Sequence, residues 1–396
     1  MNSLWKRLWT EINLDNLIYN FNCIKKNISK NTLTCCVVKA NAYGHHAPRV
    51  AQALQAAGAD WFAVSNIEEA LQLRNEGVSL PIVILGYTPV DCVAILAMNN
   101  ISQCVYSLDY AKMLSRQAKE QNCSVKIHIK VDTGMGRIGF QCDDIAKATE
   151  EISSACALEG LISEGIFTHF AVSDCGEDGK EFSHAQYKQF CELISCLERK
   201  GLHFLLKHNA NSAAVLDYPE FQMDMVRVGI ILYGLLPSHS TIVKLPLKPV
   251  MSLKTIISHV KTVKKGTTIS YGCDFVADRE MTVATVPMGY ADGFFRSNGK
   301  NDVCLLVHGQ RAKIIGRICM DQLMLDVSGI ENVDIGDEVT VFGDELLLNT
   351  VDDFAAKNGT INYEIICSVG KRVPRVFIKD SKVDGIHLGV LDTTVN

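Results

Sequence analysis

The sequence has no run of basic residues, no apolar run of membrane-spanning length and no cysteine pair at metal-knuckle spacing. Each absence excludes something. With a net charge of -5 and no clustered Lys or Arg, nucleic acid is not expected as a partner. No stretch approaches the roughly 20 apolar residues that cross a bilayer as a helix. The first 13 residues interleave Trp with charge and hold no apolar signal-peptide core. The fifteen cysteines are an odd number without ligand grouping: Cys35 and Cys36 are adjacent, and Cys191 and Cys196 lie five apart with no partner cluster. Thiols scattered through apolar segments point to a reduced, cytoplasmic protein with no metal site.

What remains is a composition of 47% hydrophobic and 21% charged residues over 396 positions, ordinary for a soluble enzyme and long enough for two domains. Residues 34–38, Thr-Cys-Cys-Val-Val, suit a buried strand. Lys39 ends that strand, Asn41-Ala42-Tyr43-Gly44 turns, and a helical pattern is expected to start at once. Further strands are expected at 61–65, 82–86, 103–107, 125–131, 164–170, 203–207 and 223–232, each but the last followed by a helix. One of those helices opens at Asn66 with Glu69 three residues on, a capping-box pair. Eight β-α repeats over roughly 200–250 residues predict an α/β fold, a closed (β/α)8 TIM-type barrel. The alternative, an open doubly wound sheet, wants a glycine-rich phosphate turn after the first strand, and none is present. Prolines at 237, 246 and 249 mark a boundary, and the rest reads as a mostly-β C-terminal domain with one short helix at 351–358. The expected division is a barrel at 10–245, a β-rich domain at 246–384 joined by residues 1–9, and a weakly patterned tail at 385–396.

A barrel carries its chemistry at the C-terminal ends of its strands. Lys39 sits there, and so do Ser65, His169, Asn211 and Ser212. A lysine desolvated at that rim becomes a nucleophilic amine, whereas a solvated one merely caps the strand. In 125–132, Val125, Ile127, Ile129 and Val131 share one face and Lys126, His128, Lys130 and Asp132 the other. The polar face should point into the barrel, where Lys130 either pairs with Asp132 or needs another partner or a modification. Thr133-Gly134-Met135-Gly136-Arg137 follows as a glycine-rich loop bringing an arginine to the mouth. Period two also turns Arg227 inward on the last strand. Loops after strands seven and eight commonly hold phosphate, and here they supply Asn211, Ser212 and the N–H groups at Gly229 and Ile230. Phosphate beside an amine nucleophile points to pyridoxal 5'-phosphate, its aldehyde on Lys39.

These motifs resemble the alanine racemase family over nearly the whole chain. The marks are Val37-Val38-Lys39-Ala40-Asn41-Ala42-Tyr43-Gly44-His45, Lys130 through Gly139, His169-Phe170-Ala171, Asn211-Ser212-Ala213-Ala214, Val226-Arg227-Val228-Gly229, Ser270-Tyr271-Gly272, Gly289-Tyr290-Ala291-Asp292-Gly293, Gly316-Arg317-Ile318-Cys319-Met320-Asp321 and Ile361-Asn362-Tyr363-Glu364. The resemblance implies interconversion of L- and D-alanine through a pyridoxal phosphate external aldimine, supplying D-alanine for peptidoglycan. It implies that Lys39 is the Schiff-base lysine and the base for the D-enantiomer. Tyr271 would be the base for the L-enantiomer, supplied by the partner of a homodimer with shared active sites. Arg227 would meet the pyridine nitrogen, and an arginine there stays protonated so that the ring nitrogen does not. Arg137 would meet the cofactor's phenolic oxygen and the substrate carboxylate, Lys130 would carry a carbamate that orients Arg137, and His169 would stand on the cofactor side. Tyr43, Ser212, Gly229, Ile230 and Tyr363 would cradle the phosphate, with Leu85 and Asn211 also in the cofactor pocket. Met320 would contact substrate carboxylate, and Asp174, Tyr290, Arg296, Arg317 and Asp321 would line the access corridor.

Three rival functions fit parts of this pattern. A serine or broad-spectrum amino-acid racemase would differ only in pocket size. A non-catalytic pyridoxal-phosphate-binding barrel would lack everything after Pro249, Tyr271 included. A decarboxylase of the same architecture would want a cysteine-centred motif in place of Ser270-Tyr271-Gly272 and a longer chain.

Overall fold

The strand Leu33–Val37 is buried on both faces, with Cys35 and Cys36 fully inaccessible. A strand apolar on both sides must be covered on both, the condition met in a parallel barrel. In the computed structural model, which describes residues 5–343, 349–391 and 393–395, it is one of eight parallel strands. Their order is Met225–Val228, Leu33–Val37, Trp61–Val64, Ile82–Ile84, Ile101–Val105, Val125–Asp132, Leu161–Phe167 and Leu206–His208. The seam between last and first is bridged by Asp224 N–H to the Lys207 carbonyl (3.1 Å) and Arg227 N–H to the Ala210 carbonyl (2.9 Å). The sheet is thereby an almost closed barrel.

Helices follow the strands as the 3.6-residue periodicity requires, from Ala47–Ala56 to Ser212–Asp217. Three local expectations change. The chain after Lys39 first makes a left-handed turn, Lys39–Tyr43, and the right-handed helix begins only at Ala47. Asn66 Oδ1 does cap the Glu69 N–H (3.0 Å), but the Glu69 carboxylate reaches Ser65 N–H instead of closing a box on Asn66. The last strand stops at Val228, because Ile230–Tyr233 winds into a 3-10 turn. Tyr233 is buried, and its hydroxyl donates to the Val37 carbonyl at the end of the first strand (2.9 Å).

A second compact unit gathers the described residues up to Leu17, Tyr43–His46 and those from Lys248 onward; the barrel takes Ile18–Ala42 and Ala47–Leu247. Its sheet has eleven strands. Leu8–Asn13 lies within it, antiparallel to Met251–Ile256 and parallel to Arg375–Lys379. After the boundary prolines come two separate strands: Met251–Ile256 pairs with Glu338–Phe342, and His259–Val263 pairs with Met281–Val286. The helix Val351–Lys357 is capped by Thr350, and a second helix, Asn362–Ser368, was not expected. The weakly patterned 385–396 stretch carries paired strand, since Lys382–Leu388 pairs with Arg375–Lys379 and Thr393–Val395. Residues 1–4, 344–348, 392 and 396, all within expected segments, lie outside the described residues.

Tyr233→Phe removes a buried hydrogen bond while keeping the ring. It should destabilise the protein by about 1–3 kcal/mol, read as a lower urea midpoint at unchanged slope. An unchanged midpoint would show that this bond contributes nothing to fixing the first strand's end.

Candidate active site

Lys39 leads into a turn that its own residue types disfavour. Ala40, Asn41 and Ala42 have φ of 52°, 55° and 53° with ψ of 48°, 45° and 51°, and Tyr43 and Gly44 continue at φ 53° and 84°. Left-handed backbone costs an L-residue roughly 1–2 kcal/mol, so neighbours must hold it. The Ala42 N–H donates to the Val38 carbonyl (2.8 Å), and Asn41 Oδ1 accepts from Ala47 N–H (2.8 Å). Glu69 does most across the fold: Oε1 accepts from Ala40 N–H (2.6 Å) and Oε2 from Ser65 N–H (2.8 Å). Sequence patterning assigned Glu69 only a capping role. Gly44 is required sterically, since a Cβ there would stand 2.4 Å from the Ile366 carbonyl oxygen. In the β-rich unit the Tyr43 and Tyr363 rings lie 6.0 Å apart, and burial pushes the Tyr43 phenol up.

Inside the barrel, Arg227 is 3% exposed and is held entirely by neutral acceptors. One terminal nitrogen donates to His208 Nδ1 (2.9 Å) and the His208 carbonyl (3.0 Å). The other donates to the carbonyls of Thr168 (2.7 Å) and Asn209 (3.0 Å) and to His169 Nδ1 (3.2 Å). Burial lowers its pKa to about 10. Burial and the Arg227 charge hold His169 and His208 well below the usual imidazole range, so both rings are neutral. Lys130 is 3% exposed and donates to the Val131 carbonyl (2.6 Å). The pairing with Asp132 does not form; Asp132 Oδ1 instead accepts from Gly134 and Gly136 N–H and shapes the loop that carries exposed Arg137. Burial brings the Lys130 amine down to about 8, with Arg227 and Arg137 pushing the same way.

The loops after strands seven and eight meet at Ser212, whose Oγ accepts from Gly229 N–H (2.9 Å) and keeps its proton to donate. Ile230 opens the 3-10 turn, whose first N–H groups have no acceptor within it. Asn211 is a helix cap: Oδ1 accepts from Ala214 N–H (2.9 Å) and the Ser173 hydroxyl (3.0 Å). Leu85 is half-buried just past Ile82–Ile84, and the Asp174 carbonyl accepts the Ser238 hydroxyl. His208 escaped the sequence pattern because the expected strand stopped at 207; with His128 it lines the interior.

The remaining expected residues lie in the β-rich unit. Tyr271 is 66% exposed on a turn where Ser270, Gly272 and Cys273 all have positive φ. The Ser270 hydroxyl donates to the Arg317 carbonyl (2.6 Å), and Arg317 pairs with Asp274. Arg296, Arg317 and Asp274 line one cleft of 530 Å³. The carbonyls of Cys319 and Met320 accept from Tyr290 and Ala291 N–H (3.1 and 3.0 Å), an approach that leaves no room for a side chain at Gly289. Asp321 pairs with Arg372 (2.7 Å). Among the described residues there is no metal-ligating cluster, and no helix is long and apolar enough to cross a membrane.

A lysine at the end of the first barrel strand, a buried arginine held by neutral groups and hydroxyl and N–H donors after strands seven and eight define a barrel enzyme of amine chemistry, carried with a β-rich unit. The comparisons narrow the class. Residues 12–237 match the alanine racemase N-terminal domain and 250–377 its C-terminal domain. The alanine racemase of Desulforamulus reducens is 46% identical over 373 residues, 94% of this chain and 99% of the relative. The alanine racemase of Clostridium difficile in complex with cycloserine superposes with a TM-score of 0.90 at 38% identity, covering 97% of this chain and 99% of that one. The Bacillus anthracis alanine racemase with bound L-Ala-P gives 0.92 at 34% identity, covering 98% and 100%. The chain belongs to the alanine racemase family. Its members are pyridoxal-phosphate-dependent amino-acid racemases, a class of isomerase.

Glu69→Ala should release the Ala40 and Ser65 amides while leaving the Asn66 cap in place. Hydrogen exchange at both amides should quicken at least roughly tenfold, the loss of one net hydrogen bond each. Unchanged exchange at Ala40 would mean that the left-handed turn is held without Glu69.

Proposed function

We propose that this protein racemises alanine, using pyridoxal phosphate and two bases, Lys39 and a Tyr271 contributed by the partner subunit of a homodimer. The observation that carries the proposal is Arg227, a buried cation whose acceptors are all neutral. Such a guanidinium suits a neutral ring nitrogen beside it, because it does not give up its own proton.

The residues present fit the cofactor. Ser212, with a hydroxyl proton to donate, and the N–H donors at Gly229 and Ile230 suit a phosphate, and Tyr43 and Tyr363 add phenols. Leu85 and Asn211 complete the pocket wall, and His169 fixes Arg227 from the cofactor side. When bound, pyridoxal phosphate supplies a conjugated sink for the electron pair left as the Cα–H bond breaks. Lys39 anchors the cofactor through its amine and, once displaced, moves a proton at one face of Cα. Tyr271 moves a proton at the opposite face; inversion needs one proton removed and one returned on different sides. Arg137 and the Met320 backbone hold the substrate carboxylate, and a carbamate on Lys130 orients Arg137. Asp174, Tyr290, Arg296, Arg317 and Asp321 line the access corridor. Fifteen free cysteines fit a reducing, cytoplasmic setting, and D-alanine for peptidoglycan is the product's use.

Lys39→Ala and Tyr271→Phe should each lower alanine racemisation by roughly 10²–10⁴-fold, the range of a lost acid-base group. Mixed under conditions of proven subunit exchange, the two should regain part of the activity, because one site per hybrid is complete. No rescue argues for a site within one chain, and faster turnover of serine or a larger amino acid by the wild type replaces alanine as the substrate.

Carbamate forms from neutral amine, so occupancy at Lys130 should be high above the amine's pKa of about 8 and fall as pH drops below it. Mass spectrometry of the intact protein in bicarbonate should show the adduct shrinking toward acid pH and absent from Lys130→Met. A bare amine at alkaline pH rules the modification out.

A further inference from the structure

The Arg227 contacts continue past His208. His208 Nε2 lies 2.9 Å from His128 Nδ1, and His128 Nε2 lies 3.3 Å from Glu164 Oε2. Both histidines are fully buried. The end of the chain fixes every proton in it. A guanidinium only donates, so His208 Nδ1 must accept from Arg227 and its proton must sit on Nε2. That N–H donates to His128 Nδ1, which places the His128 proton on Nε2, aimed at the Glu164 carboxylate. All donors therefore run one way: Arg227 to His208 to His128 to Glu164.

The walls keep the rings in line. Phe167 stacks on His208 at 4.8 Å and 8°, and Trp61 lies 5.4 Å from His128. Gly165 leaves the space that the His128 ring fills, since a Cβ there would stand 2.6 Å from Nδ1. Glu164 is fixed in turn: Oε2 accepts the Ser102 hydroxyl (2.6 Å), and Oε1 faces Lys126 Nζ at 3.3 Å. Burial pushes its carboxyl up, but the His128 and Ser102 hydrogen bonds outweigh that and bring it to about 2. It is thus an obligate acceptor at neutral pH.

We infer that Glu164 is a positioning residue for Arg227, acting through the neutral imidazoles of His128 and His208 to hold one donor direction along the barrel interior. Its effect on turnover rests on the racemase proposal above; the proton positions do not. Glu164→Gln is the sharp variant. Its amide oxygen favours Lys126, which turns the NH2 toward His128 Nε2. His128 would then carry its proton on Nδ1 and His208 on its own Nδ1, against the Arg227 N–H.

The test combines imidazole NMR of isotopically labelled holoenzyme near neutral pH with steady-state kinetics, on wild type, E164Q and K126M. Wild type should show His128 and His208 each neutral and protonated at Nε2. E164Q should lose that single pattern at His208 and lower kcat roughly tenfold, as outer hydrogen-bond partners of functional histidines do, with KM little changed. K126M, which removes the charge beside Glu164 but no link in the chain, should match wild type in both. An Nδ1 proton or a doubly protonated ring at His208 in wild type overturns the inference, whether or not E164Q folds. So does an E164Q enzyme with wild-type kcat, or a K126M enzyme as impaired as E164Q. If wild type racemises no amino acid, the racemase proposal fails while the spectra still decide the proton positions.

Discussion

Arg227 is a positive charge inside a barrel with no carboxylate against it. Burying an ion costs several kcal/mol unless its donors are satisfied, and here five acceptors from Thr168, His169, His208 and Asn209 satisfy them. The surrounding layout follows from that requirement. Three of the acceptors are main-chain carbonyls at the ends of neighbouring strands, so the guanidinium ties strands six, seven and eight together where the sheet closes. The two imidazoles must stay neutral to accept, and burial together with the charge that they stabilise keeps them so. The offsetting anion, Glu164, is kept away from the mouth by the length of two imidazole rings. Electrostatic demand is met without placing a carboxylate where a phosphate-bearing cofactor would sit.

A second constraint works by strain. Residues 40–43 occupy a region that costs each of them energy, and a glutamate just past the next strand holds the first of their amides. The same stretch passes from the barrel unit to the β-rich unit at Tyr43. Local strain, the strand-end lysine and the passage from one unit to the other therefore share residues 39–43.

Much of this was legible in the residues. Period two along 125–131 revealed an inward polar face because the two sides of a barrel strand meet different surroundings, and His128 and Lys130 are indeed buried there. Arg227 was legible for the same reason. The β-α alternation counted eight strands, and the barrel has eight. Boundaries were less readable. Leu206–His208 is three residues long and polar, so its end was misplaced and His208 was missed. Asn362–Ser368 is too short to show a helical period, so the helix that carries Tyr363 was missed. Ala40, Asn41 and Ala42 favour an ordinary helix or turn, and nothing local announces the opposite hand.

The sequence by itself determined which chemical groups are available and in what order: a strand-end lysine, an inward arginine, donors after strands seven and eight, and a tyrosine in the β-rich half. Those follow from periodicity and residue type, which are local properties. Only the tertiary structure decided their states. Which hand the turn after Lys39 takes and on which nitrogen His208 carries its proton depend on residues far apart in the chain. Glu164 and Arg227 set the proton position by hydrogen bonds in a buried interior, where an unsatisfied donor is costly and one arrangement wins, and Glu69 holds the turn by hydrogen bonds at the exposed rim.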